Sequence, residues 1–166
     1  MSIERILQEF EVTIRWVAYP LNPYQPGGFQ MRFSPDSAYD PASITEKTTQ
    51  TRDAQELTKW AESKGKGESF RAALWNAIYS KHQDIGRPET LRDAAASAGL
   101  PEDEAAEILS DRTFKEAVDA DWKRSLEIDP ECVPSVLLGG ELLVNPQGYD
   151  QIEELMERHR IKRRVR

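Results

Sequence analysis

The stretch Ile128-Asp-Pro-Glu-Cys-Val-Pro-Ser-Val-Leu-Leu-Gly-Gly140 holds the one cysteine of a 166-residue chain, two positions before a proline and at the mouth of an apolar run. A thiol offers nucleophilic or disulfide-exchange chemistry, but cycling through an internal disulfide needs a second sulfur, and Cys132 is alone. Its neighbour Glu131 is acidic, where a reactive thiolate would want a cation, so Cys132 reads as a small apolar residue at a strand start. Pro134 is more informative. A proline is tolerated at the first position of a pairing strand, and a cis Val133–Pro134 bond would leave the backbone of Val133 free to pair with an extended substrate segment.

Other catalytic kits are missing from the sequence. There is no Gly-x-Ser-x-Gly elbow, no Walker loop, no dinucleotide fingerprint and no Cys/His metal spacing, and the only histidines, His82 and His159, lie far apart. Acid pairs such as Asp119 and Asp121 read as solvated helix faces, since nothing around them suggests the burial that carboxylate catalysis needs. Trp60, Trp75 and Trp122 read as helix-bundle core with their indole N–H groups at its edge, in preference to a ligand pocket.

A net charge of −7 with both signs interspersed describes a solvated surface and argues against nucleic acid as a partner. The basic tail Arg158-His-Arg-Ile-Lys-Arg-Arg-Val-Arg166 reads as cations complementing a helix C-terminus. No apolar run reaches membrane-span length, and the first ten residues carry charges where a signal peptide needs an apolar core. A lone cysteine excludes an internal disulfide framework and favours a reducing compartment, so the expected location is the cytoplasm.

The elements that must position Cys132 and Pro134 follow from periodicity. Ile3, Ile6, Leu7 and Phe10 repeat at helical spacing, and Glu11–Val17 alternates as a strand would. Asn22, Pro23, Pro26, Gly27, Gly28, Pro35 and Pro41 then mark a long loop. From Ile44 to Ile128 five apolar stripes predict five helices, among them Ala54/Leu57/Trp60/Ala61 and Leu91/Ala94/Ala95/Ala98, the latter ended by Gly99. Ser135–Leu138, Gly139-Gly140 and Glu141–Val144 spell strand, two-residue turn and strand, and a last helix carries Tyr149, Ile152, Leu155, Met156 and His159 on one side. The expected class is α/β, half of one fold with a helical bundle inserted in it.

Six stretches in order carry a family resemblance: Trp16-Val-Ala-Tyr-Pro-Leu-Asn-Pro23, Thr51-Arg-Asp-Ala-Gln-Glu-Leu57, Asp84-Ile-Gly86, Asp111-Arg-Thr-Phe-Lys-Glu-Ala-Val118, Val133-Pro-Ser-Val136 and Pro146-Gln-Gly-Tyr149. Together they resemble the DsbA-like thioredoxin-fold proteins, and within them the FrnE-type branch related to 2-hydroxychromene-2-carboxylate isomerases and kappa-class glutathione transferases. The resemblance implies a thioredoxin-like fold with an inserted helical bundle: residues 1–43 and 129–166 as the thioredoxin-like part, 44–128 as the insertion. It implies that Val133-Pro134 is the cis-proline site, and that Cys132, Val133, Pro134, Asn22 and Pro23 bind substrate. Cys132 stands where relatives usually have glycine, and Asn145-Pro146-Gln147 where they commonly have Gly-Ala-Gln.

In redox-active relatives a Cys-x-x-Cys pair lies upstream of the helix that here begins at Ser2, so no catalytic residue is assigned within the chain and the first β-strand is expected to be absent from it. Unpaired central edges would cost about 1–3 kcal/mol per buried group. Three arrangements would compensate: Met1 as an internal methionine of a longer product, direct pairing of residues 11–17 with the hairpin, or a strand donated across a homodimer. The implied function is that of a thiol-disulfide oxidoreductase homologue, inactive in redox as this chain; the alternatives are a non-catalytic binding or scaffold protein and a glutathione-linked isomerase or transferase relative. Expected partners are a thiol or disulfide peptide or a glutathione-linked substrate, with glutathione a candidate substrate, no cofactor, no nucleic acid and no membrane.

Overall fold

Two apolar clusters organise the chain in a computed structural model that describes residues 2–20, 51–130 and 132–165. Residues 18–124 form one compact unit, and residues 1–17 with 125–166 form the other.

The 18–124 unit is helical. Helices α2 (Arg52–Ser63), α3 (Gly67–Trp75), α4 (Pro88–Ser97) and α5 (Glu102–Asp111) lie in it, as does most of α6 (Lys115–Ile128), and a π-helical turn, Asn76–Ser80, continues α3. Leu57, Trp60, Ala61, Phe70, Leu91 and Ala95 are buried together, so the expected stripes do face one core. Glycine sets two of the helix ends. At α4, Gly99 takes φ +74°, which lets Leu100 N–H reach Ala95 O at 2.9 Å and Gly99 N–H reach Ala96 O at 2.9 Å. Gly65 ends α2 by the same device. Trp75 departs from the expectation of burial: it is 58% exposed, because the buried positions of α3 are Gly67, Phe70 and Leu74.

The second unit pairs α1 (Ser2–Glu9) with α7 (Tyr149–Arg158) and adds the antiparallel hairpin β1 (Ser135–Leu138) and β2 (Glu141–Val144). Leu138 faces Glu141 across Gly139-Gly140, whose φ values of +57° and +90° suit a two-residue turn. One hairpin face, Val136, Leu138 and Leu143, packs on the core of Ile6, Phe10, Ile152, Leu155 and Met156. The turn is also tied to α7, since Glu141 accepts from Arg158 at 2.6 Å and lies 2.9 Å from His159 Nε2.

The expected strand over 11–17 does not form. Among the described residues its neighbourhood offers one antiparallel bridge, Phe10 to Arg163, flanked by Glu11 N–H to Lys162 O and Arg164 N–H to Glu9 O, both 2.8 Å. Val12 and Ile14 still alternate in burial with Glu11 and Thr13, but among the described residues no ladder partner meets them, and alternation alone does not make a strand. Direct pairing of 11–17 with the hairpin is therefore not what the described residues do; β1 and β2 form a sheet of two strands.

The basic tail is likewise more specific than dipole complementation. Arg163 bonds Glu9 at 3.2 Å and Glu157 at 2.8 Å, and also Glu153, while Arg164 donates to the carbonyls of Leu7 and Phe10. Tyr149 hydroxyl sits 2.5 Å from Glu9 and 2.9 Å from Glu153, and burial followed by those carboxylates pushes its pKa up to about 12.

A Cβ on Gly139 would lie 2.7 Å from His159 Nδ1, whereas one on Gly140 would meet nothing. Gly140→Ala should cost about 1 kcal/mol through its positive φ, and Gly139→Ala about 1–3 kcal/mol because His159 must also move. Urea midpoints of the two variants check the difference; equal midpoints would show that His159 does not support the turn.

Candidate functional site

Cys132, Val133 and Pro134 lead directly into β1. The Val133–Pro134 peptide bond is cis. Ser135 Oγ donates to Cys132 O at 2.6 Å, and Asn145 N–H, from a residue with φ +48°, donates to Pro134 O at 2.8 Å. These two bonds hold the segment at the open end of the hairpin, opposite the Gly139-Gly140 turn. Cys132 is a half-buried free thiol and Val133 is 38% exposed. Asn22 and Pro23 lie outside the described residues, as does Glu131.

The bond from Asn145 to Pro134 also sets which backbone groups face which way. Antiparallel pairs alternate between hydrogen-bonded and non-bonded, so Val136–Leu143 and Leu138–Glu141 are the bonded pairs in this register. Ser135 and Leu137 then direct their N–H and C=O groups away from β2, along the edge that continues from Val133. Among the described residues no other strand pairs with that edge. The side chains of Leu137, Leu142 and Val144 share the hairpin face opposite to the one packed on α1 and α7, and Leu137 is 42% exposed.

Among the described residues two carboxylates are buried, and one of them, Asp121, belongs to the pair read from the sequence as a solvated helix face. Asp121 is 2% exposed, accepting from Ala18 N–H at 2.9 Å and pairing with Lys59 at 2.6 Å. Asp119, two residues earlier, does stay half exposed, bound by Lys115 and Arg52. Glu56, which sequence reasoning missed, is wholly buried. Its Oε1 accepts from Arg52 Nε at 3.0 Å and Arg112 Nη2 at 2.6 Å, and its Oε2 from Arg112 Nε at 2.9 Å. Arg112 reaches it from the turn after α5, where φ is +54°. The available signal was that Arg52, Glu56 and Arg112 all fall in stretches carrying the family resemblance.

Glu56 is not a proton carrier. Burial raises its pKa, but the hydrogen bonds from Arg112 and then Arg52 outweigh that and hold it below the ordinary value, so it stays ionised. Trp60 and Trp122 donate their indole N–H groups to Glu104 at 3.1 Å and Gln55 at 2.7 Å, as edge-of-core tryptophans should. Among the described residues no three His, Cys, Asp or Glu side chains are grouped to hold a metal ion.

A two-stranded hairpin packed on α1 and α7, with a helical unit lying between them in the sequence, is consistent with a thioredoxin-like α/β fold that carries a helical insertion. The family model of the DSBA-like thioredoxin domain matches residues 1–157, and the chain belongs to that family, which is of thiol-disulfide oxidoreductase type. No curated protein matches it. Among the described residues no helix is long and apolar enough to cross a membrane.

Arg112→Ala removes two of the three hydrogen bonds to a buried carboxylate and should cost about 2–3 kcal/mol, against less than about 1 kcal/mol for Lys115→Ala at the exposed end of the same network. Because the pKa of Glu56 is depressed, its contribution is complete above the ordinary value of 4.5 and is lost as pH falls below it. Denaturant titrations from pH 7 to pH 3 should therefore show an acid loss of stability that Glu56→Gln makes shallower; an unchanged slope would mean that Glu56 is not held ionised by its arginines.

Proposed function

We propose that residues 1–166 form a binding protein of the FrnE-type branch, which holds an extended thiol- or disulfide-bearing peptide along the edge Val133–Leu137 without turning it over. The observation that carries this reading is the outward-facing backbone of β1, continuous with the exposed Val133 and unpaired among the described residues. Extended peptides add to such an edge through main-chain hydrogen bonds, and the exposed Leu137 supplies an apolar contact for alternate side chains. Glutathione, a short cysteine-containing peptide, suits the same edge.

Sulfur stoichiometry closes an internal two-cysteine cycle to residues 1–166, so turnover through Cys132 would depend on an external thiol to resolve its adduct. Reducing a disulfide by exchange needs a thiolate to attack one sulfur and a second thiol to resolve the mixed disulfide. Cys132 is the single sulfur of the thiol type in the chain, so it can neither resolve its own adduct nor close an internal disulfide. One thiol also suits a reducing compartment such as the cytoplasm.

The test is reduction of a disulfide-bridged peptide by the 166-residue chain with glutathione as reductant, run beside Cys132→Ser. Both proteins should turn over substrate at the background rate while binding it equally well. Faster reduction by the wild-type chain than by Cys132→Ser would make Cys132 a working nucleophile and overturn the proposal.

A further inference from the structure

The helical unit carries a second recess that shares no residue with the Val133–Leu137 edge. It has a volume of about 320 Å³, and its lining includes Ala54, Leu74, Trp75, Ile78 and Ile85. That volume lies at the lower end of small-molecule pockets.

Most polar groups around it are engaged within the protein, although the Nε of Arg71 is buried without a hydrogen-bond acceptor among the described residues. Gln55 donates its amide to Tyr19 O at 2.9 Å and Thr51 Oγ1 at 3.4 Å, and accepts from Trp122. Thr58 Oγ1 donates to Ala54 O at 2.7 Å. Arg71 is held by Glu62 at 2.7 Å and Glu68 at 2.8 Å, so its charge is neutralised in place. A charged ligand would give up its hydration here without finding a counter-charge, which burial penalises heavily. An uncharged apolar ligand gives up little.

Ring chemistry narrows the class further. The π-helical turn Asn76–Ser80 follows Trp75 at once, and a π turn inside a helix is often found at functional sites. It leaves Trp75 and Tyr79 stacked, with centroids 4.5 Å apart and planes at 28°. Both residues are 58% exposed. Exposing two large stacked aromatics beside an apolar recess is costly for a protein that gains nothing from them, whereas a flat ligand can extend the stack and fill the recess at once.

We infer that this recess binds an uncharged aromatic molecule of one or two fused rings, stacked on Trp75. The probes are neutral 1-naphthol and its anionic counterpart 1-naphthoate, added to the full chain labelled with nitrogen-15. With 1-naphthol, the Trp75 indole N–H and the Ile78 and Ile85 amides should shift saturably. Trp75→Ala should weaken binding by about tenfold or more, Trp75→Phe should restore most of it, and Trp16→Ala should leave it unchanged. Because Trp75 is largely exposed, these variants should keep the far-ultraviolet spectrum of the parent. 1-Naphthoate should bind about tenfold more weakly than 1-naphthol. Shifts that do not saturate, equal affinity for the anion, or undiminished binding by Trp75→Ala would each overturn the inference.

Discussion

Burying the carboxylate of Glu56 constrains the helical unit more than any other contact. An ionised group taken out of water costs several kcal/mol unless its oxygens are matched, and Glu56 is matched by Arg52 one turn earlier and by Arg112 from the turn after α5. Arg112 adopts a left-handed backbone to deliver a two-pronged contact. Arg52 in turn reaches Asp119 and lies 4.5 Å above the Trp122 ring, so α2 and α6 are registered by the same guanidinium. Loss of one partner leaves the others with buried charge, so the set stands or falls together.

The other unit is organised around a smaller knot with the same logic. Glu9 at the end of α1 meets Tyr149 at the start of α7, and Arg163 returns from the chain's C-terminal segment to both, with its guanidinium 4.6 Å from the Phe10 ring centre. Those contacts fasten α1 to α7 and give the hairpin a surface on which to lay one face. Its outer edges pair with no other strand among the described residues, and the segment Cys132–Pro134 runs straight into β1.

Much of this was legible in the sequence because apolar period reports directly on core faces. Leu57, Trp60, Leu91, Ile152 and Leu155 fall where their spacing places them, and Gly139-Gly140 forms the turn its residues require. Val12 and Ile14 show the limit: alternation describes burial, but a strand also needs a partner chain that no local pattern names. Glu56 shows another, since an Arg/Glu pair four apart on a helix looks like ordinary surface charge until a distant arginine closes over it. Trp75 was misjudged because aromatic residues at helical spacing are usually core, and only the fold reveals which side of α3 is covered. At the site, Cys132, Val133 and Pro134 could be picked out as one segment, whereas the direction in which Ser135 and Leu137 present their backbone depends on the pairing register with β2.

Amide hydrogen exchange along β1, with and without an oxidised cysteine-containing peptide, is the most direct measurement of the binding edge. Val136 and Leu138, bonded to β2, should be protected in both conditions, while Ser135 and Leu137 should exchange freely alone and become protected with peptide. Ser135 and Leu137 amides that were already protected, or that were indifferent to peptide, would contradict an edge open for an extended substrate.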